Sequence, residues 1–245
     1  MIELFQHAPG FNLPSASPFC VKLELLIKMA NLPYSNRYDA DVRKAPKAKL
    51  PYIVIDGTRT IADSELVLRY LKDSGQFKVD EWLSDTQSAQ CVAVTRLVED
   101  HLYWLLVDAR WMSDDVWPVL RDSFFAGLPP VVKSIVPGIV RKQVKRTLHG
   151  QGLGRHSRED LEYFAEKDLA ALDGLLGDRV YMMGERICSV DATVYGGLSS
   201  ICYPDFSTRL KAIALAHPSL VAYCDRITSQ FFPEYARNRD SRAAK

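Results

Sequence analysis

At 245 residues the chain is long for one domain and comfortable for two. A formal net charge of +1, with 25% charged and 47% hydrophobic residues, fits an ordinary soluble globular protein and argues against a nucleic-acid binder. Five cysteines, odd in number and scattered in apolar context, exclude a disulfide framework and point to a reducing compartment.

The opening "MIELFQH" carries an acid and then a short apolar run, which is neither a signal peptide nor a transit peptide. No window has the apolar length needed to span a bilayer, so the expected location is cytoplasmic. Ile2–Phe5 suits a buried strand, and a loop rich in Pro, Gly, Asn and Ser follows from Gln6 to Ser17. Pro18 to about Ala30 reads as a helix, with Ser17 as its N-cap and Pro18 in the first helical position. Phe19, Leu23, Leu26 and Ala30 share one face, and Val21, Leu25 and Met29 make a second stripe, so this helix is buried on most sides. Asn31 and Pro33 end it.

Tyr34–Tyr38 is a candidate strand, followed by a charged loop. Tyr52–Ile55, the Asp56-Gly57 turn and Arg59–Ala62 then form a hairpin. A short helix runs from Asp63 to Leu71, with Asp63 or Ser64 at its start. This order is an α/β domain with a mixed sheet. From about Trp82 the apolar period becomes helical: Val94 to Leu105, Leu161 to Leu176, Ala192 to Ile201 and Leu220 to Ile227. The expected organisation is residues 1–74, a linker at 75–83, and an all-α domain at 84–245.

Three short pieces of the first domain carry chemistry. "SPFC", residues 17 to 20, has the frame of a redox C-x-x-C motif with serine in the first cysteine's place. At a helix mouth, backbone N–H groups and the helix dipole favour a negative charge such as a thiolate. Leu50-Pro51 precedes a strand; an X-Pro bond can be cis there, leaving the Leu50 backbone free to pair with a peptide laid alongside. At Asp63-Ser64 the hydroxyl and N–H groups suit a carboxylate, and Asp63 suits an ammonium group. A small peptide with an amino acid head, a thiol and a peptide middle satisfies all three, and glutathione is such a molecule.

The order of a serine-led helix, a Lys-Leu-Pro turn, a "DG" hairpin and an acidic-Ser helix start resembles the glutathione transferase superfamily. "SPFCVK" is similar to the Ser-Pro-Phe motif of tau-class enzymes, whose serine hydrogen-bonds the glutathione thiolate; omega-class enzymes and glutaredoxins place a cysteine there. "ICSVDATVYGGL" resembles the superfamily's Ser/Thr-x-x-Asp capping box, with Cys188 at the hydroxyl position and Asp191 as partner. "SPFCVKLELLIKMANLPY", "AKLPYIVIDG" and "GQGLGRHSRED" resemble the metaxin and failed-axon-connections group. The resemblance implies an α/β thioredoxin-like N-terminal domain plus an all-α C-terminal domain. It also implies glutathione as cosubstrate, a small apolar electrophile and a homodimer. Ser17 would be catalytic, and Phe19, Lys49, Leu50, Pro51, Asp63 and Ser64 would bind glutathione. Tyr103, Trp104, Asp108 and Trp111 would line the electrophile pocket, the last three sharing a helix face.

Plainer readings stand beside these. Ser17 is equally a helix cap, Ser15 competes with it as thiol partner, and Cys20 is a core residue or a monothiol reductase centre. Lys49 is a carboxylate partner or one charge of a solvated loop, and the aromatic stripe is pocket or packing. A transferase fold used purely as a binding or scaffold module is the rival function. From Ser123 to Arg158 there are seven basic residues and no acid, which reads as a solvated face or a surface for an anionic partner or membrane. Its Pro129-Pro130, Pro137-Gly138 and clustered glycines predict a partly irregular or mobile stretch. His149 and His156 lack metal-ligand spacing, so no metal site is expected. The tail "EYARNRDSRAAK" is polar and offers no membrane anchor.

Overall fold

The computed structural model describes residues 1–38 and 41–236; the last nine residues of the polar tail lie outside them. Strands β1 (Ile2–Phe5), β2 (Tyr34–Arg37), β3 (Tyr52–Ile55) and β4 (Arg59–Ala62) form one sheet in the order β2-β1-β3-β4. β1 runs parallel to β2 and antiparallel to β3, with Leu4 opposite Ile53; β3 and β4 make the expected hairpin. The parallel pair is joined by helix α1 (Pro18–Met29), and α2 (Ser64–Asp73) follows the hairpin. The Leu50-Pro51 peptide is cis.

The remainder is helical. α3 (Asp85–Arg96) runs through a wide π turn at Leu97–Leu102 into α4 (Tyr103–Trp111), one continuous rod. Then come α5 (Trp117–Phe124), α6 (Pro130–Gln151), α7 (Arg158–Leu176), α8 (Ser189–Cys202), α9 (Arg209–Leu215) and α10 (Pro218–Phe231). Within the stretch from Ser123 to Arg158, expected to be partly irregular, residues 125–129 and 152–157 are turns, and the 22-residue α6 fills the middle, carrying Pro137 inside it. The reason is positional: Pro130 occupies the first helical position, where no N–H partner is needed, and Gly152, at φ 116°, ends the helix.

The two halves share one core. α1 buries Cys20, Val21, Leu23, Leu25, Leu26 and Ile27 completely, packed against α8 and α2. Every residue of α8 is buried. The approach to α1 is so close that a Cβ at Gly196 would sit 2.6 Å from the Pro18 carbonyl oxygen. Only glycine fits there. The start of α8 is held as the sequence suggests, with Cys188 in the cap position: its N–H donates to Asp191 Oδ2 at 2.8 Å. Ser189 turns away and donates to Asp80, in the segment joining the two halves.

Candidate active site

Ser17 stands at the N-terminus of α1 in extended conformation, and its side chain caps no backbone N–H. Its hydroxyl is therefore not consumed by the cap role that its position suggested; it lies by the Cys20 thiol, half-buried. Ser15 is spent structurally: buried, it donates to the His7 carbonyl at 2.9 Å and accepts from the Ser17 N–H at 3.5 Å. Beneath them Cys20 is fully buried, and burial pushes its thiol up to about 11, outweighing the hydrogen bonds from His7, Ser15 and Ser17 that favour the anion.

Pro51 is buried and Leu50 half-buried where β3 begins, and Lys49 is exposed. Asp63 adopts φ 86°, a left-handed conformation unusual for any side chain but glycine. Its Oδ1 accepts from the Glu65 N–H at 2.9 Å and so caps α2, with the carboxylate exposed and Ser64 buried behind it. A residue held in such a conformation is a common mark of a ligand site.

One cation ties these pieces together. Lys22 is 2% exposed, and its Nζ donates to Glu65 Oε2 at 3.0 Å and Glu99 Oε1 at 2.7 Å. It thus joins α1 to α2 and to the π turn of the helical half, where a widened turn often marks function. Burial raises the Glu99 carboxyl above its usual range, against the pull of Lys22. Sequence reasoning missed this triad, although Lys22, a charge amid two apolar stripes, was a visible sign of it.

Pro18, Phe19, Lys22, Glu99, Tyr103 and Gly197 line a small, mostly apolar cavity of about 20 Å³ between the halves. The Phe19 and Tyr103 rings meet edge to face, 4.9 Å apart. Of the four expected pocket residues, Tyr103 alone faces this cavity. Trp104 packs against the core and the Tyr103 ring. Asp108 pairs with Arg158 on the far side of α4, beside a separate cleft toward α7 and α9. Trp111 joins Trp117 and Phe124, and Phe124 in turn meets His7 and Phe11 of the loop leading to Ser17. The expected shared face of Trp104, Asp108 and Trp111 is thus divided among three environments.

Arg110, also unforeseen, holds that loop from below. Its guanidinium is buried and donates to the Ala16 carbonyl at 3.0 Å and the Ser200 carbonyl at 2.6 Å, with no carboxylate in contact among the described residues. Burial lowers it to about 10, so it stays charged at neutral pH.

Residues 18–116 match the family model of the glutathione S-transferase N-terminal domain, and residues 165–227 that of the C-terminal domain. An isoprene-epoxide–glutathione S-transferase of Rhodococcus sp. (strain AD45) is 31% identical over 94% of this chain and 99% of that protein. This chain belongs to the glutathione transferase family. Failed axon connections of Drosophila melanogaster is 27% identical over 96% of this family member and 59% of its own length. Human metaxin-2 is 22% identical over 96% and 90%. In solved structures the fold is shared with glutathione transferase F7 from Populus trichocarpa, at a TM-score of 0.61 and 14% identity over 97% and 98% of the chains. A Methylobacterium radiotolerans transferase in complex with glutathione sulfonate aligns at a TM-score of 0.56 and 17% identity, covering 96% and 93%.

Proposed function

We propose that this family member binds glutathione and conjugates its thiolate to a small apolar electrophile. The observation that carries the reading is the Ser17 hydroxyl, which caps no backbone N–H at the mouth of α1 and directly precedes Pro18 and Phe19 of the apolar cavity that Tyr103 also lines. The peptide would lie along Leu50-Pro51, with its γ-glutamyl end at Asp63-Ser64 and Lys49 near its glycine carboxylate. A free thiol titrates near 8.5, so only a few per cent is thiolate at neutral pH. A hydrogen bond donated by Ser17, the N–H groups of α1 and the positive field of Arg110 all favour the anion.

The thiolate then attacks carbon, forming a C–S bond as the bond to the leaving group breaks. The Rhodococcus relative is named for an epoxide, a compact electrophile. If the electrophile is an epoxide, its C–O bond opens and the alkoxide takes a proton. Tyr103 lines the cavity, and burial raises its hydroxyl above the usual value, so it remains a protonated donor for that oxygen. The reading also keeps the family's homodimer and a cytoplasmic location.

A second reading, a binding or scaffold module, is favoured by the 25% identical Arabidopsis thaliana relative named as a mitochondrial outer membrane import complex protein. Reductase chemistry at Cys20 is disfavoured, since a buried, protonated thiol is a poor nucleophile. Titration calorimetry with glutathione separates these. Millimolar or tighter binding, weakened in Ser64→Ala, followed by turnover of a small epoxide, supports the transferase. No heat at millimolar glutathione, with Ser64→Ala indistinguishable from the parent, would leave the scaffold.

A further inference from the structure

Helix α6 is the long element with the least packing: of its 22 residues only Pro137 and Leu148 are buried. At 100° per residue, Val131, Ile135, Ile139, Lys142, Arg146 and His149 project from one side. That side is opposite the buried pair, and it faces solvent. Val131 is 73% exposed, Ile135 57% and Ile139 62%, and the three basic or imidazole side chains after them are exposed too. One outward stripe is therefore apolar in its first half and basic in its second. Single exposed hydrophobes are ordinary, but three aligned on one helix mark a contact surface.

The charges identify what the surface fits. Within the acid-free stretch, Lys133 is paired with Asp122, Arg141 with Asp114 and Arg158 with Asp108. Lys142, Lys145 and Arg146 have no acidic partner within 4 Å among the described residues. A second copy meeting this face symmetrically would set the same cations against themselves. A bilayer with anionic headgroups answers both halves at once, taking the apolar side chains at the headgroup boundary and the cations among its phosphates. No helix of the described residues is long and apolar enough to cross a membrane, so such contact is peripheral.

We propose that the outward face of α6 docks this protein reversibly on anionic phospholipid surfaces, through Val131, Ile135 and Ile139 together with Lys142 and Arg146. Three apolar side chains make a shallow anchor, so the attachment depends on charge and weakens steeply with salt.

The test is co-sedimentation of the full-length protein with phosphatidylcholine vesicles, with and without about one-third phosphatidylserine. Binding is expected only to the anionic vesicles and only at low salt. Lys142→Gln with Arg146→Gln should weaken it by about 25-fold, at about fivefold per charge. Ile135→Asp with Ile139→Asp should abolish it. All four positions are exposed or half-buried, so melting temperature should barely move, and the salt dependence of the parent protein needs no variant. Parent protein that ignores anionic vesicles, or charge variants that bind like the parent, would overturn the proposal. So would a dimer in sedimentation equilibrium that Ile135→Asp converts to monomer, which makes the face a self-contact. Capture of an acidic protein helix by this face without vesicle binding would overturn it as well.

Discussion

Gly196→Ala tests how the helical half controls the site in the first half. A methyl at this position would lie 2.6 Å from the Pro18 carbonyl oxygen, 3.3 Å from the Lys22 nitrogen and 3.4 Å from the Lys22 Cβ. An unstrained carbon–oxygen contact needs about 3.3 Å, so roughly 0.7 Å must be found by moving backbone, because no flexible side-chain tip can give way. Overpacking of this kind costs about 1–3 kcal/mol, offset by about 1 kcal/mol for replacing glycine inside a helix. The net loss should be up to about 2 kcal/mol, read as a lower urea midpoint at unchanged slope. The displaced atoms belong to the first turn of α1, directly after Ser17. A shift of about 0.5 Å there should lower kcat/KM for glutathione conjugation by about tenfold per folded molecule. Gly154→Ala is the control. Its methyl would meet the Leu148 and His149 backbone at 2.8 and 2.9 Å, an equal clash remote from the cavity. It should destabilise the fold and leave turnover intact. Parent-like stability and activity in Gly196→Ala, or equal activity losses in both variants, would refute the coupling.

Three further outcomes follow from the same geometry. Ser17→Ala should change stability by less than about 0.5 kcal/mol, because no cap bond is lost. It should keep glutathione binding and raise the pKa of the bound thiol, followed by thiolate absorbance across pH; Ser15→Ala should instead cost about 1 kcal/mol and leave that pKa in place. Lys22→Met should cost about 3 kcal/mol at neutral pH in chemical denaturation, since Glu99 is left buried and unpaired. The Glu99 carboxyl is raised above its ordinary 4.5, so the native state holds the extra proton, and stability falls as pH rises from 4.5 through the native value. Without the opposing pull of Lys22 that falling window should extend to higher pH. Cys20, pushed up to about 11, is about one part in a thousand thiolate at pH 8. Iodoacetamide should leave it unmodified in the native protein, and Cys20→Ala should retain conjugating activity.

The first half of the fold was legible because its signals are local. Pro18 after Ser17, the Asp56-Gly57 turn and alternating apolar residues each act over a few positions, and Leu50-Pro51 falls where the strand begins. Helix α6 was not legible. Its prolines and glycines carry turn propensity, yet one proline stands at a helix start, where propensity reverses meaning. α5 and α9 are only 8 and 7 residues long, too short for a helical period to show.

The order of Ser17, Leu50-Pro51 and Asp63-Ser64 is written in the chain, so the sequence by itself determined the candidate pieces of the site and the order in which the fold presents them. Which serine hydroxyl is tied to the loop backbone could not be read there. Ser15 and Ser17 are chemically alike, and only the path of the loop over His7 commits one of them to a backbone carbonyl. Pairing across distance is likewise a tertiary outcome. Lys22 meets Glu99 77 positions away, and Arg110 reaches Ala16 across 94. On α4 the helical period put Trp104, Asp108 and Trp111 on one face, but the neighbours differ along that face. A carboxylate in a crowded interior goes to the nearest cation, here Arg158, while an indole is satisfied by other rings. Periodicity says which side chains leave a helix together; packing decides what each of them meets.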